Sequence, residues 1–332
     1  MIMLDAPLSS ARAAPAPAAA HLAEAVSSLR PPVLREVPQQ PAHALGGVVL
    51  LGGAVWKSGL RAAVDRPLFE LPVTAEKSLL DIWCERIGEL ADALGRAPLP
   101  TRILLTQGSP SPDRPARPHV TLTQDSGAFR GTGGALRDLT AEDPAETSLL
   151  VANAAQLPLE PLFPLVRQLI QRHADVSFVA HYDGTPARVM VLRPRCLRVL
   201  PRVGFVDLME QGLPLIAREH PISAVHCAHP VSLPVRTLQG YIRALQRYHR
   251  RSPGVGGGEE WRSSFSLIEP GAEVHPSACL HDTVVLRGGR VNRNAVVARS
   301  VVCPGAIVPR GAVVVDEVVA SASGRMSLSW SS

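Results

Sequence analysis

Two glycine-rich segments offer this chain's clearest chemistry. Gly52-Gly53 ends the apolar run Val48-Val49-Leu50-Leu51, and Gly131-Thr132-Gly133-Gly134 opens a helical stretch. Glycines at the end of a short buried strand let backbone N–H groups turn inward on a phosphate with no side chain in the way. Two polar clusters invite other chemistry. His220, His226, Cys227 and His229 suggest a zinc site, but strand alternation sends His226 and Cys227 to opposite faces, and the spacing matches no ligand pattern. Arg243, Arg247, Arg250 and Arg251 recur at helical spacing. Their default reading is a solvated face at the negative end of a helix, and the alternative is an anion or partner patch.

The surrounding sequence lays out alternating strands and helices. Residues 48–51 are short and branched enough for a buried parallel strand. A long loop follows, and then Ser78 caps a helix with Leu79, Trp83, Ile87, Leu90 and Leu94 on one stripe. Short strands are expected at 102–106 and 120–123, with a proline-rich loop between them, and another at 148–155. Leu162, Phe163, Leu165, Val166, Leu169 and Ile170 make one face of a helix ending near His173. Strands at 176–180 and 188–192 precede a helix that runs from Asp207 through Ala217.

The opening strand, loop and helix resemble the start of the sugar-1-phosphate nucleotidyltransferases, the NDP-sugar pyrophosphorylases, mannose-1-phosphate guanylyltransferases among them. That family opens with a strand, G-G-x-G-x-R, a spacer and R-P-K-P-L-x-P-V, echoed here by Gly52-Gly53, Arg66-Pro67 and Leu71-Pro72-Val73. Gly131 to Leu136 is similar to its G-T-A-G-A-L segment, which approaches the nucleotide. The resemblance thus implies nucleotide contacts from Gly52, Gly53, Lys57, Gly131, Thr132 and Gly133. The reacting groups differ. Val55 stands for the third loop glycine, Lys57 for the arginine and Leu68 for the R-P-K-P lysine. Ala155 replaces the magnesium-binding aspartate of N-G-D, and Pro234 replaces the second, in D-I-G-T-P. Between His181 and Arg188 the chain lacks the segment carrying the family's E-K-P, which holds the sugar phosphate. A hard dication prefers carboxylate oxygen, and leucine offers a phosphate neither charge nor hydrogen bond. The two lysines, Lys57 and Lys77, stand against 32 arginines, so drift alone would have left arginine at position 68.

The resemblance implies one of two functions. One is a catalytically impaired regulatory or scaffolding subunit in sugar-nucleotide or polysaccharide metabolism, with no cofactor and with weak nucleotide or nucleotide-sugar binding. The other is an active sugar-1-phosphate nucleotidyltransferase, in which Lys57 stabilises the phosphates and Asp125 or Asp207 holds magnesium.

Length and composition set the frame. The 332 residues, 46% of them apolar, can bury a full core and make two domains. The formal charge of +5 rests on arginines spread through the chain, which argues against a nucleic-acid partner. Five cysteines without a C-x-x-C pair read as reduced thiols. With no apolar run long enough to span a membrane and no secretory signal, a cytoplasmic location is expected.

Residues 1–43 form an alanine- and proline-rich arm, 44–251 the nucleotidyltransferase-like domain, 252–263 a linker, 264–319 a repeat region and 320–332 a tail. In the repeat region a small residue precedes an aliphatic one by two places near every sixth position, as in Pro304-Gly305-Ala306-Ile307-Val308. Roughly nine such hexads give about three coils of a parallel β-helix. The expected fold is therefore a three-layer α/β, Rossmann-like (GT-A-like) nucleotidyltransferase domain followed by a short left-handed parallel β-helix. Its open edges favour a homo-oligomer or a complex with a related nucleotidyltransferase. Acyltransferases also use such helices, but His275 and His281 sit at the first coil, away from where a catalytic histidine is needed.

Overall fold

The computed structural model describes residues 45–53, 59–96, 98–106, 109–110, 112, 117–125, 130–181, 184–251 and 264–321. The arm, the linker and nearly all of the tail lie outside them.

Within the first part the chain runs β1 (Leu45–Leu51), α1 (Gly59–Val64), α2 (Leu79–Ala93), β2 (Thr101–Leu105), β3 (Val120–Gln124), α3 (Gly131–Leu139), β4 (Ser148–Asn153), β5 (Gln156–Pro158), α4 (Leu162–Ile170), β6 (Val176–His181), β7 (Pro186–Leu192), α5 (Pro194–Leu197), α6 (Leu213–Ile216), β8 (Ile222–Cys227), β9 (Ser232–Pro234) and α7 (Leu238–Arg251). Seven of the strands form one mixed sheet in the order β3-β2-β1-β4-β7-β6-β8, in which β7 is antiparallel to both neighbours. Sequence periodicity fixes its two faces. Val48, Leu50, Leu150, Ala152, Val179 and Val189 pack beneath α2, α4 and α7, while Val49, Val151, Phe178 and Met190 pack against Leu136, Leu197 and Ile216. The result is a three-layer α/β arrangement.

The stretch between β1 and α2, expected as loop, folds down instead. Leu60 and Val64, four apart in α1, are both buried, and Leu68, Phe69 and Glu70 form a buried 3-10 turn. That i, i+4 pair was the signal of a helix. α2 starts on a capping box between Ser78 and Asp81. It buries Trp83, whose Nε1–H donates to Gln156 O at 2.8 Å.

The C-terminal strands lie in three parallel sheets. β10 (Ser266–Ile268), β13 (Thr283–Val285), β16 (Val301–Val302) and β19 (Val318–Val319) form one, and β11 (Glu273–Val274), β14 (Arg290–Val291) and β17 (Ile307–Val308) the second. β12 (Cys279–His281), β15 (Val296–Ala298) and β18 (Val313–Val315) form the third. Each strand pairs with one a full coil later, Ser266 with Thr283 and Thr283's neighbour Val284 with Val301, which is the arrangement of a β-helix. The coil is 17 residues, from 266 to 283, one short of three hexads. The short side turns at Asp282, Arg299 and Asp316, non-glycine residues with φ of 49°, 46° and 57°. Arg299 and Asp316 pair at 2.7 Å across successive coils there. Gly271, Gly288 and Gly305 make another corner, also at positive φ.

One apolar core runs from the sheet into the coils and includes Leu50, Leu245, Phe265, Val285 and Val302. Polar ties cross the same boundary. Arg66 Nη2 meets Glu269 Oε2 at 2.9 Å with side-chain exposures of 13% and 3%. Gln246 Nε2 donates to Asp282 Oδ2 at 2.7 Å, and His249 stacks on Phe265. The Tyr241 hydroxyl donates to Pro72 O, holding α7 to the turn that follows Phe69.

Asp175, buried behind the sheet, accepts hydrogen bonds from Arg193 and Arg195 and bonds His220. Burial alone would raise its carboxyl, but the Arg195 and His220 hydrogen bonds outweigh that and hold it below the usual carboxylate range. A depressed folded-state pKa stabilises above the unfolded value and is lost as pH falls through the folded one. The melting temperature of Asp175→Asn should therefore lie well below that of the parent at neutral pH, and the gap should narrow below about pH 4. Removing one partner of a buried pair leaves the other charge stranded, so Glu269→Ala should lose about 3 kcal/mol in denaturant unfolding.

Candidate functional site

β2 and β3 follow β1 on one side and β4 lies on its other side, so the strand order reverses at β1, and in such sheets the crevice outside the carboxyl ends at this point is the usual ligand position. The sequence-nominated residues can be placed around it. Gly52 and Gly53 end β1 here, and their N–H groups both donate to Leu104 O, at 2.8 and 3.2 Å. A Cβ on Gly52 would lie 2.9 Å from Ile103 Cγ2 and Phe69 Cε1, and one on Gly53 only 2.4 Å from Thr106 Cγ2. Close packing thus accounts for both glycines. Val55 and Lys57 lie outside the described residues. Leu68, where the resemblance places a lysine, is buried in the core with 5% exposure.

Ala155 and Pro234 are brought together. β5 and β9 pair antiparallel with Gln156 opposite Pro234, and Val235 N donates to Ala155 O at 3.1 Å. Ala154 N donates to Leu51 O, which holds the same turn against the end of β1. Two positions 79 residues apart in sequence (234 − 155) therefore meet where the resemblance calls for two metal carboxylates, and neither bears one. Asn153 Oδ1 accepts from Ala155 N at 2.9 Å, so the amide caps this turn.

Opposite stands the start of α3. Thr132 Oγ1 donates to Asp207 Oδ2 at 3.1 Å and accepts from Leu208 N at 2.9 Å. Asp207 Oδ1 accepts from Met209 N and Glu210 N, capping the turn Leu208–Gly212. Gly133 N donates to Val206 O, and Gly131, at φ +68°, would bring a Cβ to 2.4 Å from that oxygen. Asp125 follows β3 at the sheet's edge, its N–H on Leu105 O.

The imagined zinc cluster does not assemble. His220 is bonded to Asp175, His226 is exposed on β8, and no group of three or more His, Cys, Asp or Glu converges among the described residues. Arg243, Arg247 and Arg250 lie exposed along α7.

The sequence reading missed three arginines. Arg61 Nη2 reaches Ser109 Oγ at 3.5 Å, beyond β2, and that hydroxyl also bonds Thr106 Oγ1. Arg188, with φ of 55°, lies near the start of β7, next to Val189, the partner of Ala152. Arg236 follows Val235 and so stands beside Ala155. Burial first, then the charges of Arg188 and Arg61, hold the Arg236 guanidinium below its ordinary range, against the opposing pull of Asp207. Neither Arg188 nor Arg236 has a carboxylate within ion-pair distance among the described residues. Arg236, two places after Pro234, was the available signal, but Arg188 sits in a run that reads as ordinary strand.

No protein-family model matches the chain, and no curated protein does. Among solved structures, the crystal structure of HddC from Yersinia pseudotuberculosis covers 61% of this chain and 99% of its own, at 14% identity and a TM-score of 0.42. Likeness of that degree transfers neither ligand nor reaction.

The glycine geometry separates two kinds of site. Gly131→Ala, strained by φ and by contact, should lose about 1–3 kcal/mol in denaturant unfolding. Gly59→Ala, with nothing near its added carbon, should be neutral or stabilising.

Proposed function

We propose that this protein is a nucleotidyltransferase-like binding subunit without efficient catalysis. It takes a nucleotide or nucleotide sugar at the carboxyl edge of the sheet and regulates or scaffolds sugar-nucleotide or polysaccharide metabolism. The supporting observation is the meeting of Ala155 and Pro234 beside the end of β1. A phosphoryl-type transfer develops charge that these enzymes balance with a carboxylate-held dication. Losing even one such preorganised group typically costs about 3 kcal/mol, or roughly 10²-fold in rate. Leu68, turned into the core, offers no replacement charge.

Partner binding belongs to the same proposal. The repeat region would form a left-handed β-helix that pairs with a second copy or with a related nucleotidyltransferase. Its third sheet supports this, for Val296 and Val313 stack outward in register at 40% and 70% exposure.

An active enzyme is the rival reading, favoured by one observation: Asp207 keeps a carboxylate at the crevice, beside Thr132 and within electrostatic reach of Arg236. Purified protein incubated with nucleoside triphosphates, a panel of sugar 1-phosphates and magnesium should release no pyrophosphate above background. Turnover that Lys57→Ala abolishes would overturn the proposal.

A further inference from the structure

The carboxyl edge collects arginines where the resemblance leads one to look for carboxylates. Arg61 reaches it from α1 across the end of β2, Arg188 from the start of β7, and Arg236 from the chain leaving β9. They come from three separate segments, so a surface run of basic sequence does not explain their convergence.

We propose that Arg61, Arg188 and Arg236 form a metal-independent seat for a diphosphate group, as carried by a nucleoside diphosphate, a nucleotide sugar or free pyrophosphate. The inference rests on the binding function proposed above and names the chemistry of that site.

Three considerations carry it. Guanidinium groups match phosphate oxygens in pairs and keep their charge at any working pH, so they can neutralise a diphosphate without a bridging dication. The half-buried Arg236 is crowded by two like charges, and a dianion placed among them turns that repulsion into attraction. The position is also where a doubly wound sheet receives ligands, outside the carboxyl ends at the strand where connections diverge. The charge balance agrees with this: Ala155 and Pro234 bear no charge, Arg236 lies two residues from Pro234, and Arg188 adjoins Val189, the partner of Ala152.

The test is calorimetric titration of the full-length protein with sodium pyrophosphate, first in EDTA and then in magnesium, with nucleoside diphosphates, nucleotide sugars and inorganic phosphate as further arms. Binding in EDTA is expected, with pyrophosphate or a diphosphate ester at least tenfold tighter than inorganic phosphate. Arg236→Ala should weaken it at least tenfold and Arg188→Ala by several-fold. Arg236→Lys should fall between, and Arg243→Ala, on the exposed face of α7, should leave it unchanged. Should Arg236→Ala fail to fold, as judged by its melting curve, Arg188→Ala and Arg236→Lys carry the comparison. Absence of binding, binding that requires magnesium, or equal losses in Arg236→Ala and Arg243→Ala would each overturn the assignment. Which diphosphate binds best identifies the source. Pyrophosphate release in the turnover assay would sink the proposed function alone, whereas metal-free binding lost in Arg236→Ala would still stand.

Discussion

A guanidinium buried against a carboxylate, Arg66 on Glu269, joins the two halves of this molecule where hydration can no longer support either charge. Glu269 is 3% exposed, and the Oε2 that meets Arg66 also accepts the Arg287 N–H. Arg66 opens the segment that continues through the buried turn at Leu68–Glu70 to Pro72, and Pro72 O in turn receives the Tyr241 hydroxyl from α7. The coils therefore grip the segment whose Phe69 packs against Gly52. Mechanical continuity runs from the β-helix to the crevice through packed groups, with an apolar core common to both.

That continuity bears on what the crevice can do. A phosphate loop that works by wrapping its ligand needs free amides, whereas the N–H groups of Gly52 and Gly53 are both spent on Leu104 O. Neither glycine's amide is therefore left over for a ligand. The side chains present are cationic, and among the described residues Asp207 is the carboxylate acting on Arg236.

The sequence showed the period of the elements better than their chemistry. Branched residues at 48–51, the α2 stripe and the small-then-aliphatic repeat each encode a local periodicity, and each appears as strand, helix and stacked coil. The 17-residue coil was hidden because one side turns at Asp282, Arg299 and Asp316, residues whose left-handed backbone a sequence does not advertise as glycine does. The meeting of Ala155 with Pro234 was legible only by analogy, since it depends on β5 pairing with β9 across intervening helices and strands. Of the three arginines, Arg236 alone carried a signal, its place two residues after Pro234. Each member lies in a different element, and proximity arises from sheet order, which periodicity does not encode.

Points of resemblance and points of departure weigh differently in this chain. Gly131 and Gly133 lie beside Val206, and the contact with Val206 O would exclude a side chain at Gly131 whether or not a nucleotide ever binds. Folding alone preserves such a glycine, so its presence says little about ligand. No packing constraint of that kind demands Pro234, which is exposed and pairs through its backbone. An aspartate there would meet water, not a wall. Ala155 and Leu68 are buried in the core and so are accounted for by packing as the glycines are, which leaves exposed Pro234 as the position that packing does not dictate, with Arg236 two residues beyond it.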